Sequence, residues 1–150
     1  MLTRRIFLSA AVAAPAAVFI RPAMAAEPYV FAVDEIAIRG ADPVAFFTDK
    51  GPVIGNSEHA LVWGGATWHF ASAENMEMFM ANPTAYAPQY GGYCAFALSK
   101  GSLASTVPEA WTVHDGKLYL NYSVNVRQVW SEDISGNIAL ADAQWPAILG

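Results

Sequence analysis

Apolar and polar positions alternate most clearly in "HALVWGGATWHF", residues 59–70. Two β-rich runs flank Gly64-Gly65, the pattern of a two-residue hairpin turn. The turn sets Trp63 opposite Ala66, Leu61 opposite Trp68 and His59 opposite Phe70. Side chains alternate between the two faces of a strand. Leu61, Trp63, Trp68 and Phe70 therefore share a face with His59, while Val62, Thr67 and His69 lie on the other. The aromatic face is the expected core side. A second hairpin is read in "AWTVHDGKLYLNY" around Asp115-Gly116, a type I′ pair.

The other apolar stretches read as short helices. Ser72 is a helix N-cap with Glu74 in the first turn, and the helix runs to about Ala81 before Asn82-Pro83 stops it. Pro83 opens a short turn of helix to Ala87, and "YCAFALS" is a short helix closed by Gly101. Ser123 caps a helix carrying Val126, Val129 and Trp130. A last helix, about 137–145, puts Ile138, Ala141 and Trp145 on one face. The lead-in "YVFAVDEIAI", residues 29–38, reads as one short strand. In "MEMFM", Met76 and Met80 lie one turn apart beside Phe79 and read as core, with Met78 pointing away. The expected fold is α+β, a small single domain with two β-hairpins and several short helices.

The N-terminus follows a different pattern. "MLTRRIFLSAAVAAPAAVFIRPAMA" has a basic start, an apolar run from Ile6 to Ile20 and the small-residue site Ala23-Met24-Ala25. This is the layout of a secretory signal peptide over residues 1–25, with the domain in residues 26–150 and a periplasmic or secreted destination. Thr3-Arg4-Arg5-Ile6-Phe7-Leu8 resembles a twin-arginine export signal, which carries folded passengers. No other run is long enough to cross a bilayer. Residues 26–150 hold five bases against thirteen acids, a net charge of −8. That balance argues against nucleic-acid binding.

One cysteine, Cys94, stands in "QYGGYCAFALSKG". With no second thiol it forms no intramolecular disulfide, so it is a buried apolar side chain, a ligand or a nucleophile. The functional reading rests on Gly91-Gly92: glycines admit a close ligand or backbone. A helix opening near Tyr93 would also place the sulfur by unpaired N–H groups, which favour thiolate. Tyr90 and Tyr93 flank the glycines, and aromatic rings around such a loop can line a small pocket. His59, on the aromatic face, is the best second contributor to a metal site, and otherwise a core histidine. His69 faces away from it, and His114 is a solvated turn residue.

"GADPVAFFTDKGPV", "GATWHFASAENMEMFMANPTAYAPQYGGYCAFALSKG" and "DGKLYLNYS" together resemble the YHS domain family in its exported single-domain branch, from about Gly40 to Trp145. The resemblance implies a role in metal handling. It also implies a departure: where the family's metal-type pattern has three cysteines, this chain has Ala45, Ala71 and Asn75. Soft-metal sites need several Cys or His ligands.

The expected function is an exported YHS-type binding or accessory protein. Its candidate ligand residues are Tyr90, Gly91, Gly92, Tyr93 and Cys94. Cys94 and His59 are the candidate metal ligands, for copper or another soft ion. The alternatives are thiol-based redox or hydrolytic chemistry at Cys94, and an interaction module without chemistry that serves a membrane or envelope protein. No catalytic set is assigned.

Overall fold

The computed structural model describes residues 26–150, and the expected signal segment, residues 1–25, lies outside the described residues. The fold is α+β, with two small sheets and several short helices. The first sheet has the order β1 (Ala32–Val33), β2 (Ile36–Ala37), β4 (Ala66–Phe70), β3 (Asn56–Trp63). Its one parallel pair is β2 with β4. The second sheet is the hairpin of β5 (Val107–His114) and β6 (Lys117–Asn121).

Turn chemistry dictates both expected hairpins. Gly64 and Gly65 have φ of 62° and 81°, and Asp115 and Gly116 have 49° and 73°. Left-handed geometry at both central residues is what a type I′ turn demands. The lead-in differs from expectation. It is not one strand but a third tight hairpin, β1–β2, turning on Asp34 and Glu35 with φ of 50° and 68°.

The register of β3 on β4 is as expected at Trp63↔Ala66 and Leu61↔Trp68, but Phe70 pairs with Asn56 instead of His59. A bulge takes up Ser57, Glu58 and His59. Its geometry is local, since Asn56 Oδ1 accepts the Glu58 N–H at 3.0 Å.

Helix starts follow their caps. Ser72 Oγ accepts the Asn75 N–H at the head of α2 (Ala73–Ala81). α1 (Ala45–Thr48) precedes it, and α3 (Pro83–Tyr86) and α4 (Ala95–Ser99) follow. Ser123 Oγ caps α5 (Val124–Trp130) in the same way. The last helix, α6 (Ile134–Gln144), begins earlier than expected because Asp133 accepts the Gly136 N–H. Glycine at that position leaves room for the carboxylate, which any Cβ there would strike.

Strand β6 divides the interior. Its alternating side chains send Leu118 and Leu120 into one apolar cluster with Trp68, Phe70 and Phe79, and Tyr119 into another with Tyr90, Leu98 and Trp130. The first cluster is a ring packing: Phe79 lies 5.2 Å from Trp68, 5.3 Å from Phe70 and 5.7 Å from Trp63. Burying Phe79 completely stabilises the fold by about 2 to 3 kcal/mol. Met76 joins this core, but Met80 does not, being 53% exposed on the outer side of α2.

Candidate functional site

Cys94 is the N-cap residue of α4, but its sulfur does not cap that helix. The residue is 1% exposed, and its sulfur accepts the backbone N–H of Tyr122 at 3.2 Å. The thiol also lies 3.5 Å from Asn121 Oδ1, as donor, and that oxygen takes the Phe96 N–H at 3.0 Å. Cys94 thus joins the head of α4 to the end of β6. The helix-terminus activation expected from the sequence is not what the geometry provides.

The glycines before it have a packing role. Tyr90, Gly91 and Gly92 all have positive φ, of 60°, 62° and 86°. A Cβ on Gly91 would run into the Tyr29 carbonyl, and one on Gly92 would stand 2.6 Å from Ile38 Cγ2. Phe31 donates its N–H to the Gly91 carbonyl at 2.9 Å. The space freed by glycine at Gly92 is filled by the protein's own chain. Tyr93 is buried too, its hydroxyl donating to the Pro28 carbonyl at 2.8 Å.

His59 sits in the β3 bulge, partly buried, on a strand packed against β4 and α2. Cys94 belongs instead to the helix packed on β6, α5 and α6. Among the described residues no group of three His, Cys, Asp or Glu side chains is placed to hold a metal ion.

The three positions singled out by the family resemblance do meet, around a residue that sequence reasoning passed over. Asp42 is fully buried. Its Oδ1 accepts the N–H groups of Val44 at 2.9 Å and Ala45 at 3.4 Å. Its Oδ2 accepts the Ala71 N–H at 2.9 Å and the Asn75 side-chain amide at 2.8 Å. Ala45, Ala71 and Asn75 therefore surround a carboxylate whose donors are all supplied by the protein. The donor set is not one for a soft metal, which takes thiolate or imidazole.

A half-enclosed cleft of about 180 Å³ lies on the other side of the Tyr90-Gly91 turn. Its walls include Tyr29 from the lead-in, Trp63 from the end of β3, Gln89 and Tyr90 from the turn, and Trp145 at the end of α6. Of the sequence candidates, Tyr90 and Gly91 line it, and Gly92, Tyr93, Cys94 and His59 do not. The rings stand inclined to one another and do not stack. Tyr29 lies 6.4 Å from Trp63 at 73° and 5.4 Å from Trp145 at 49°, and Tyr90 lies 6.2 Å from Trp145 at 69°. No lining residue is charged.

Tyr90 is the pivot of the cleft. A non-glycine residue with positive φ is uncommon and strained, and such strain collects at ligand sites. Its hydroxyl passes through to the far side and donates to Asp142 Oδ1 at 2.8 Å. Burial, and then the Asp142 hydrogen bond and charge, push the phenol far above its ordinary value, so Tyr90 is neutral throughout the physiological range. Comparison with family models, curated proteins and solved structures finds no match for this chain.

Proposed function

We propose that this chain is an exported, YHS-like binding or accessory protein that holds a small organic ligand in the aromatic cleft above Tyr90 and Gly91. The observation that carries the reading is the cleft itself. Uncharged aromatic walls with a few polar groups are the ordinary make-up of a small-molecule site, and here they come from both ends of the domain. The export signal expected from residues 1–25 and the family resemblance support a mature domain working in the periplasm.

Cys94 is not carried forward as the site. Its sulfur is enclosed and already serves Tyr122, and among the described residues it belongs to no group of three His, Cys, Asp or Glu side chains that could hold a metal ion. Thiol chemistry meets the same obstacle, because a nucleophile has to be reached by its substrate.

Tryptophan fluorescence tests the proposal. The mature domain is titrated with a panel of small aromatic, aliphatic and cationic compounds, beside a Thr84→Trp variant. Thr84 is exposed at the cleft wall, so the larger ring obstructs the opening without entering the core. Saturable binding by the wild type, lost in a variant of unchanged melting temperature, is the expected result. Absence of saturable binding across the panel, or equal binding by the variant, refutes it.

A further inference from the structure

The lining of the cleft narrows the chemistry of its ligand, on the reading that the cleft is the binding site. An anionic ligand would find no partner there. None of the five bases of residues 26–150 (Arg39, Lys50, Lys100, Lys117 and Arg127) lines the cleft. A sugar-like ligand would want several convergent donors and acceptors. The polar side-chain groups here are the Gln89 amide, the Thr84 hydroxyl, the phenols and the indole N–H groups. Of these, the Tyr90 hydroxyl and the Trp68 N–H are already bonded to Asp142 and the Trp63 carbonyl. What the cleft has in quantity is ring surface. The Tyr29 centroid lies 6.4 Å from Trp63 and 5.4 Å from Trp145, and that of Tyr90 lies 6.2 Å from Trp145.

A cation over the face of an aromatic ring, within about 6 Å of its centroid, is attracted by the ring quadrupole, and four such side chains border this uncharged cleft at inclined angles. Two further observations act in the same direction. The hydroxyl of Tyr90 donates to the Asp142 carboxylate at 2.8 Å. A phenol polarised by an anionic acceptor has a more electron-rich ring, because hydrogen-bonded groups polarise one another at low dielectric. The domain as a whole has a net charge of −8. Its field raises the local concentration of cations and repels anions.

A metal ion or a primary ammonium keeps a tight hydration shell, and such a cleft has no carboxylate with which to replace it. A quaternary ammonium is different. Its charge is spread over methyl groups that hold water weakly, and it needs ring faces more than hydrogen bonds. We infer that the cleft bounded by Tyr29, Trp63, Tyr90 and Trp145 takes a small quaternary ammonium compound, with the cationic head among the rings and any hydroxyl directed to Gln89 or Thr84.

Calorimetric titration of the mature domain tests this with two probes of one shape. One is choline, and the other is its neutral carbon isostere, in which a tert-butyl group replaces the trimethylammonium. Choline is expected to bind at least about tenfold more tightly, two or more ring contacts being worth that much. Tyr29→Leu keeps apolar area at the half-exposed rim and removes one ring. It should weaken choline about fivefold and leave the isostere unchanged, while Tyr29→Phe restores choline binding. Equal binding of the two probes overturns the cationic assignment and leaves the cleft as a ligand site. Binding of neither probe, with saturable binding elsewhere in the panel blocked by Thr84→Trp, also overturns the assignment and spares the cleft. If nothing in the panel binds, both fall.

Discussion

Asp42→Asn is a sharp test of how the heads of α1 and α2 and the end of β4 are held together. The substitution preserves shape and removes one acceptor oxygen from a carboxylate that takes four N–H donors. If the new amide nitrogen takes the Oδ2 position, it faces the Ala71 N–H and the Asn75 amide. If it takes the Oδ1 position, it faces Val44 and Ala45. Either way two hydrogen bonds are lost and donors confront donors with no water to relieve them, since Asp42 is fully buried. Charge-assisted hydrogen bonds contribute about 1.5 to 3 kcal/mol each. The contact to Ala45, at 3.4 Å, is the weakest, so the amide settles on that side. The expected loss is about 3 kcal/mol, or a fall in melting temperature of about 10 °C for a domain near 125 residues. Asn75→Ala, which removes a single donor, should lose about 2 kcal/mol. Urea unfolding followed by circular dichroism measures both, with an unchanged slope showing that the folded and unfolded states are comparable. An Asp42→Asn domain within about 0.5 kcal/mol of the wild type would refute the reasoning, because buried donors left unpaired are not that cheap.

The same contacts set the outcome of other perturbations. Cys94 should resist alkylation in the folded domain at neutral pH and react only on unfolding, and copper(I) should bind wild type and Cys94→Ser equally weakly; a fast-alkylating thiol or tight binding by the wild type alone would restore the sulfur as a site. Gly91→Ala should destabilise by about 2 kcal/mol or more, since φ is +62° and the Cβ strikes the Tyr29 carbonyl. Gly65→Ala, with φ +81° but open space around it, should lose only about 1 kcal/mol in the same denaturant assay. Equal losses would show that the close approach to Tyr29 is unimportant. Burial raises the phenol values of Tyr90, Tyr93 and Tyr119, helped by Asp142 at Tyr90 and Tyr119 and by Glu27 at Tyr93. A raised folded value means that stability is complete below the unfolded value, about pH 10, and is lost as pH rises above it. Absorbance titration should therefore show these three tyrosines ionising late and together with unfolding, and early ionisation of all six would contradict their burial.

Much of the framework was legible because its signals are local. Gly64-Gly65 and Asp115-Gly116 announce their turns, and Ser72 and Ser123 announce their helices, each through chemistry complete within four residues. The misses have physical reasons. Asp34-Glu35 adopts the same left-handed turn without glycine or asparagine to mark it. The bulge that moves His59 out of register depends on how Asn56 folds back, which strand alternation does not encode. Asp133 went unread as a cap because Gly136 lowers the helical signal just beyond it. The cleft was the least legible feature. Tyr29, Trp63, Tyr90 and Trp145 are far apart in the chain, and only the packing of both termini on the Tyr90-Gly91 turn brings them together. Tyr90 and Gly91 could be picked out from their neighbours, but the same glycine clue drew attention to a cysteine that faces the other way.

The most direct measurement is a set of nitrogen–proton correlation spectra of the five tryptophan indoles during titration with choline. The account predicts that the Trp63 and Trp145 resonances shift with one saturating dissociation constant, together with Trp68 in the cleft wall, while Trp111 and Trp130 stay in place. Shifts confined to Trp111 or Trp130, or no shift in any indole up to saturation of a control receptor, would contradict it.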